Sequence, residues 1–264
     1  MDIAVLIKQV PVSNNVSVDP ETHALVRASS EGMINPADLN AIEEAILLKE
    51  QTGGKAVVFT MGPPDAEKAL RDAMALGCDE GCLITDRAVA GGDTVATARV
   101  LAKAINLYGT FDLVLSGALS ADGATGQVGA MTAEIMGIPH VAEIQSIRYD
   151  QQDPGKVEVI KKMHEDKIRV SCQLPAVCSV NFGSNVPRLA TLRSKRAAKS
   201  KPMMVYSNAD LMLPENQVGI GGSPTAVIDS FEPKGGRRAQ MLTGTAQELA
   251  EKLKSLIDEE KGKL

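Results

Sequence analysis

Residues 113–137 read LVLSGALSADGATGQVGAMTAEIMG. Leu113-Val114-Leu115-Ser116 has the character of a short buried strand. A loop of Gly, Ala, Ser, Asp and Thr follows, and a helix-like run begins near Gly126. A strand feeding a small-residue loop that opens a helix is an arrangement that binds nucleotide phosphates. The unpaired N–H groups of the first helical turn point at the anion, and residues without bulk let it come close. No Walker lysine follows and the GxGxxG spacing is absent. On residue types alone two readings stand, a phosphate cradle and a plain βα turn.

Upstream, the pattern repeats. Ile3 to Val10, IAVLIKQV, reads as a central parallel strand stopped by Pro11. The alternation from Asn15 to Asp19 suggests an excursion hairpin. A helix then starts at Asn35, with Pro36 in the first position and Asp38 in the first turn. It runs to about Glu50 and ends at Thr52-Gly53-Gly54. Ala56 to Met61 is a second strand, Asp65 to about Leu76 a helix closed by Gly77, and Gly81 to Thr85 a third strand. Asp93 or Thr94 caps a helix reaching Tyr108. Thr94 and Thr97, three apart in that first turn, either cap alone or also turn their hydroxyls to an anion.

Downstream, Lys156–Lys161 and Lys167–Gln173 read as antiparallel strands around a turn near His164-Glu165-Asp166, and Ala176–Asn181 as a further strand. Strands alternating with helices from residue 3 to about 182 predict an α/β fold, a doubly wound and mostly parallel sheet with a small antiparallel addition. Ligands of such sheets bind beyond the carboxyl ends of the strands. Four loops fall there: Lys8–Val10, Met61–Pro63, Ala90–Thr94 and Gly117–Val128.

Composition narrows the function classes. The chain has 264 residues and a net charge of −5, which argues against a general nucleic-acid or membrane-surface protein. No apolar run is long enough to span a bilayer, and Met1-Asp2-Ile3 leads directly into strand, so no signal peptide and no membrane insertion are expected. Cys78, Cys82, Cys172 and Cys178 sit singly, and His23, His140 and His164 are scattered. Neither zinc spacing nor a disulfide framework emerges, and the expectation is free buried thiols in a reducing cytoplasm.

From Asn185 to Lys201 six basic side chains appear without an acid, and Leu192 sits among them in the manner of a docking anchor. Aromatic platforms for nucleic acid are missing. Residues from about Ser207 to Gly236 read as a long extended arm that wants a partner to lie on. Ala246–Glu259 reads as an amphipathic helix. The expected division is 1–205, a nucleotide-binding α/β domain that includes the 185–201 loop, and 206–264, the arm and C-terminal helix.

Several segments together resemble the β-subunit of electron-transferring flavoprotein: IKQVP, INPADLNAIEEAILLKE, the MGPP turn, ADGATGQVGAMTAEIMGIP, and LPAVCSVNFGSNVPRLATLRSKRAAKSKP. The resemblance covers roughly the whole chain. It implies a heterodimer whose α-subunit carries an electron-transferring FAD, while the β-subunit holds an adenine nucleotide. That nucleotide is AMP in most members. In electron-bifurcating members it is a second FAD that takes a hydride from NADH and sends one electron to ferredoxin or flavodoxin. The other passes through the α-subunit to an acyl-CoA dehydrogenase or similar flavoenzyme.

Carried over by segment, the nucleotide contacts fall on Leu6, Asn35 to Asp38, Met61 and the loop Gly117, Ala118, Asp122, Gly123, Ala124, Thr125, Gly126, Gln127 and Val128. Gln127 and Val128 are the expected flavin or ribityl contacts. Asp93, Thr94 and Thr97 resemble the bifurcating type, whose helix start receives the FAD pyrophosphate, and DGATGQVG resembles the same form. The resemblance therefore favours FAD over AMP, with no catalytic side chain and no metal. Arg188, Leu192, Arg193 and Lys195 correspond to the loop that docks on the dehydrogenase. Arg193 stands where many relatives have Pro and Ala197 where they have Lys.

Overall fold

The chain order is β1 (Ile3–Leu6), β2 (Gln9–Pro11), β3 (Ser17–Val18), β4 (Leu25–Val26), β5 (Gly32–Ile34), α1 (Pro36–Thr52), β6 (Ala56–Met61), α2 (Glu67–Leu76), β7 (Glu80–Ile84), α3 (Thr94–Tyr108), β8 (Leu113–Gly117) and α4 (Val128–Met136). It continues with β9 (His140–Tyr149), β10 (Lys156–Met163), β11 (Asp166–Gln173), β12 (Ala176–Val180), α5 (Leu192–Ala198), β13 (Met203–Tyr206), α6 (Asn208–Leu211) and α7 (Ala246–Lys261). This computed structural model describes residues 1–12, 17–18, 25–26, 32–163, 166–229 and 241–261.

Among the described residues nine strands form one sheet in the order β11-β10-β9-β12-β8-β1-β6-β7-β13. Every neighbouring pair from β9 to β13 is parallel, and β10 and β11 add antiparallel strands at one edge. The expected α/β sheet is therefore present. β1 shows why both faces are covered. Alternate side chains of a strand point to opposite faces, so Ile3 and Val5 enter one core with α1 and α2, while Ala4 and Leu6 enter a second with α3 and α4.

The winding reverses beside β1. β6 and β7 extend the sheet on one side with α1 and α2 on one face; α3 then crosses the other face to bring β8 in on β1's opposite side. The carboxyl ends of β1 and β8 thus flank the switch point, where loops diverge and leave a crevice.

Several details differ from the sequence expectation. The run from Ile3 to Val10 is broken after Leu6, because Lys8 gives its N–H to the Asp38 carboxylate rather than to a strand. Asn35 occupies the cap position of α1 without capping through its side chain. β9 and β13 carry no clear sequence signal: β9 mixes buried and exposed positions, and β13 is a four-residue edge strand behind a basic run. The Leu192 segment, expected as a loop, is helix α5, started by a capping box between Thr191 and Ser194. Ser17–Val18 pairs with Leu25–Val26, and the rest of that excursion and the His164-Glu165 turn lie outside the described residues.

The chain forms two compact units, Met1–Ile228 and Asp229–Leu264. Residues 206–228, given to the arm on sequence, fold within the first, where Leu211 and Val218 are buried. In the second unit α7 leaves Leu253, Leu256 and Ile257 partly exposed.

Candidate functional site

The crevice at the switch point is built on Asp38. Its carboxylate accepts the Lys8 N–H at 2.7 Å, the Gly117 N–H at 3.1 Å and the Asn35 side-chain amide at 3.0 Å. Of these donors, Lys8 follows β1 and Gly117 is the last residue of β8. Burial pushes Asp38 up to about 7 from the ordinary carboxylate value, against the lowering effect of these hydrogen bonds. Asn35, itself buried, donates to the Leu119 carbonyl and accepts the Ala121 N–H, each at 3.0 Å. Asn35 and Asp38 thus face the backbone that frames the crevice. Gly117 is required by proximity: a Cβ there would lie 2.2 Å from Asp38 Oδ1.

The Gly117–Val128 loop is held on its other side by Lys8, whose ammonium donates to Asp122 at 2.7 Å. Ala124 and Gly126 adopt left-handed backbone (φ +49° and +63°), bending the loop into α4. Gly123, Ala124 and Thr125 are exposed, while Leu6 and Ala118 are buried. Gln127 begins α4 without a side-chain cap, so the first-turn N–H groups of this helix are not taken by a capping side chain.

Two helix starts meet here. Thr94 Oγ1 donates to Gln127 Oε1 at 3.0 Å, joining the first turn of α3 to that of α4. Asp93 caps α3 through Oδ1, which accepts from Val95 and Ala96, both at 3.0 Å. Its other oxygen accepts from Thr225 N–H and hydroxyl. Burial opposes ionisation of Asp93, but the hydrogen bonds from Ala96, Thr225 and Val95 outweigh it and hold its carboxyl below the usual range. Thr97 lies next along α3, its N–H on the Asp93 carbonyl.

Below α4 sits a polar cluster that sequence reading missed. His140 Nε2 lies 2.9 Å from Ser179 Oγ, which lies 3.4 Å from Ser116 Oγ. Burial lowers the His140 pKa, favouring the neutral ring. A Cβ on Gly129 would meet Ser179 Oγ at 2.7 Å and Ser116 Oγ at 2.9 Å, so glycine lets α4 approach the sheet. The spacing from Gly129 to these residues is long, and nothing local in the sequence announces it.

A cavity of about 950 Å³ opens on the β6 side, reaching the switch point through Lys8 and Met61 and bounded further out by Pro63, Arg71 and Lys195. Met61 lines this cavity and, like Val128, packs against the buried cluster that holds Leu6. No cluster of metal-ligating side chains occurs among the described residues, and the four cysteines are free and buried.

The candidate docking residues fall into two groups. Leu192, Arg193 and Lys195 lie exposed on α5. Arg188 instead forms a bidentate pair with Glu43, with contacts of 2.9–3.1 Å, and reaches Glu50 at 2.7 Å.

The fold is a doubly wound α/β sheet whose winding reverses beside β1, with the starts of α3 and α4 joined by the Thr94–Gln127 bond. The electron transfer flavoprotein domain profile matches residues 22–211. The chain is 39% identical to the electron transfer flavoprotein subunit beta of Thermoanaerobacterium thermosaccharolyticum, over 96% of each chain. It is 35% identical to the caffeyl-CoA reductase-Etf complex subunit CarD of Acetobacterium woodii, over 98% of each. With Protein FixA of Azorhizobium caulinodans it shares 36% identity over 92% of this chain and 88% of that one. The chain belongs to the electron transfer flavoprotein family, on its β-subunit side, and serves electron transfer. Among the described residues no helix is long and apolar enough to cross a membrane.

Proposed function

We propose that this β-subunit binds FAD in the switch-point crevice. With an α-subunit, it passes electrons between NADH, ferredoxin or flavodoxin and an acyl-CoA-type flavin dehydrogenase by electron bifurcation. The observation that carries the reading is the Thr94–Gln127 contact at 3.0 Å, which sets two helix starts side by side. A dinucleotide needs two donor clusters for its two phosphates, whereas a mononucleotide needs one. The relatives named for a caffeyl-CoA reductase-Etf complex and for an acryloyl-CoA reductase support the partner class.

The residues divide the work. The α4 N–H groups and the 117–127 loop hold one phosphate, Thr97 offers its hydroxyl to the other, and Thr94 joins it by releasing its bond to Gln127. Asn35 and Asp38 fix the loop from behind. Gln127 and Val128 are assigned contact with the flavin or its ribityl chain. FAD would supply the hydride and single-electron chemistry, and the chain supplies position and electrostatics.

A second reading, a structural AMP, is favoured by Asp93. Its carboxylate already takes two first-turn N–H groups of α3, which leaves fewer donors for a second phosphate. Denaturing the purified αβ heterodimer and quantifying the released nucleotides separates the two.

A further inference from the structure

The chain beyond β13 runs back over the loop that leads into α3. Asn208 donates its N–H to Asp86 Oδ2 at 2.9 Å. Leu211 and Val218 are buried in the core that α3 also enters. Gly219 then passes so close to the loop that a Cβ there would lie 2.2 Å from the Ala88 carbonyl oxygen, and its φ of +55° suits glycine. Gly222 is buried, and its carbonyl accepts from Arg99 Nη1, in the second turn of α3, at 3.0 Å.

The polar groups of this strap, residues 219–225, meet at Asp93. Ser223 Oγ accepts the Asp93 N–H at 2.8 Å and donates to the Gly219 carbonyl at 2.7 Å. Thr225 gives Asp93 Oδ2 its N–H at 3.1 Å and its hydroxyl at 2.8 Å. Capping of α3 needs none of these bonds, because Oδ1 alone accepts from Val95 and Ala96. The next residue, Thr94, reaches Gln127 instead. Adjacent residues of one helix start are thus tied to different parts of the chain, Asp93 to the strap and Thr94 to α4. A free carboxylate here would repel a phosphate and compete for its donors, whereas one held on both oxygens stays on the cap.

We propose that Ser223 and Thr225 are positioning residues for the nucleotide. By holding Asp93 they keep the α3 start open to a second phosphate, and so favour a dinucleotide over a mononucleotide in the crevice. The inference rests on the FAD reading. It adds that the preference depends on a residue 130 positions downstream of the one it acts on.

The test uses the αβ heterodimer with FAD in the β-site, and the same protein with AMP loaded in its place. The dissociation rate of each nucleotide is measured. Ser223→Ala with Thr225→Val is expected to release FAD about tenfold faster. AMP, whose single phosphate lies on the α4 start, is expected to leave at an unchanged rate. Thr225→Val alone, at an exposed position, moves the FAD rate in the same direction and is read if the double variant does not assemble. Thr225→Ser, which keeps the hydroxyl, is expected to hold FAD as the parent does.

An FAD rate unchanged in both valine variants overturns the positioning role. If Thr94→Val with Thr97→Val still speeds FAD release in that assay, the FAD reading survives. FAD and AMP released faster by the same factor also overturns the proposal, because the strap then only stabilises the fold. So does a Thr225→Ser protein that loses FAD as fast as Thr225→Val. A parent heterodimer that carries AMP and rejects FAD overturns the FAD reading and this proposal with it.

Discussion

The Asp38 carboxylate accepts the backbone N–H of Gly117 at 3.1 Å, so a residue in the first turn of α1 fixes the end of β8. With the Lys8 N–H on its other oxygen, one buried side chain sets the spacing of the two strands that flank the crevice. Asp38→Asn keeps the shape but turns an amide donor toward backbone donors. Leaving such groups unsatisfied costs about 1–3 kcal/mol. We expect a lower Tm and faster nucleotide loss, read by thermal melts and by filtration of the heterodimer. Unchanged retention would show that the loop does not depend on Asp38.

The same residue gives a pH dependence. Its folded pKa is about 7 against an ordinary 3.8, so between those values the folded state holds a proton that the unfolded chain has released. The contribution of this group to stability is fully present below the unfolded value and is lost as pH rises through about 7. Stability measured from about pH 4 to about pH 7 should fall in part through Asp38 and level off above that range, and Asp38→Asn should flatten that part of the slope. Identical slopes in the two proteins would contradict the assignment.

Gly129→Ala places a methyl 2.7 Å from Ser179 Oγ and 2.9 Å from Ser116 Oγ. Overpacking of this kind costs about 1–3 kcal/mol and should push the α4 start off the sheet, weakening nucleotide binding. Adding Ser116→Ala and Ser179→Ala should restore much of the loss. If the triple variant is no better than Gly129→Ala alone, the hydroxyls are not what the methyl meets.

Thr94→Val with Thr97→Val removes two hydroxyls and leaves the Asp93 cap in place. A charge-assisted hydrogen bond is worth about 1.5 kcal/mol, so FAD should leave the β-site about tenfold faster. Dissociation followed by flavin fluorescence checks this. An unchanged rate would leave both threonines as helix-start residues only.

Much of this arrangement is readable from local sequence. The DGATG loop between strand and helix, and Pro36 with Asp38 at a helix start, place the crevice because turn chemistry acts over a few residues. What local sequence does not carry is contact across long separations. Arg188 looks like one more exposed cation in a basic run, yet its partner Glu43 lies 145 residues away. Asn35 looks like a cap, but Leu119 and Ala121 claim its side chain. Helix α5 hid because its capping box uses Ser194 where Glu or Gln is usual. β13 forms only because β7 offers an edge.

The measurement that bears most directly on the account is the nucleotide content of the αβ heterodimer, purified without added flavin and denatured for chromatography. The account predicts two FAD for each heterodimer and no AMP. One FAD with one AMP would contradict it, and would mean that Asp93 closes the α3 start to a second phosphate.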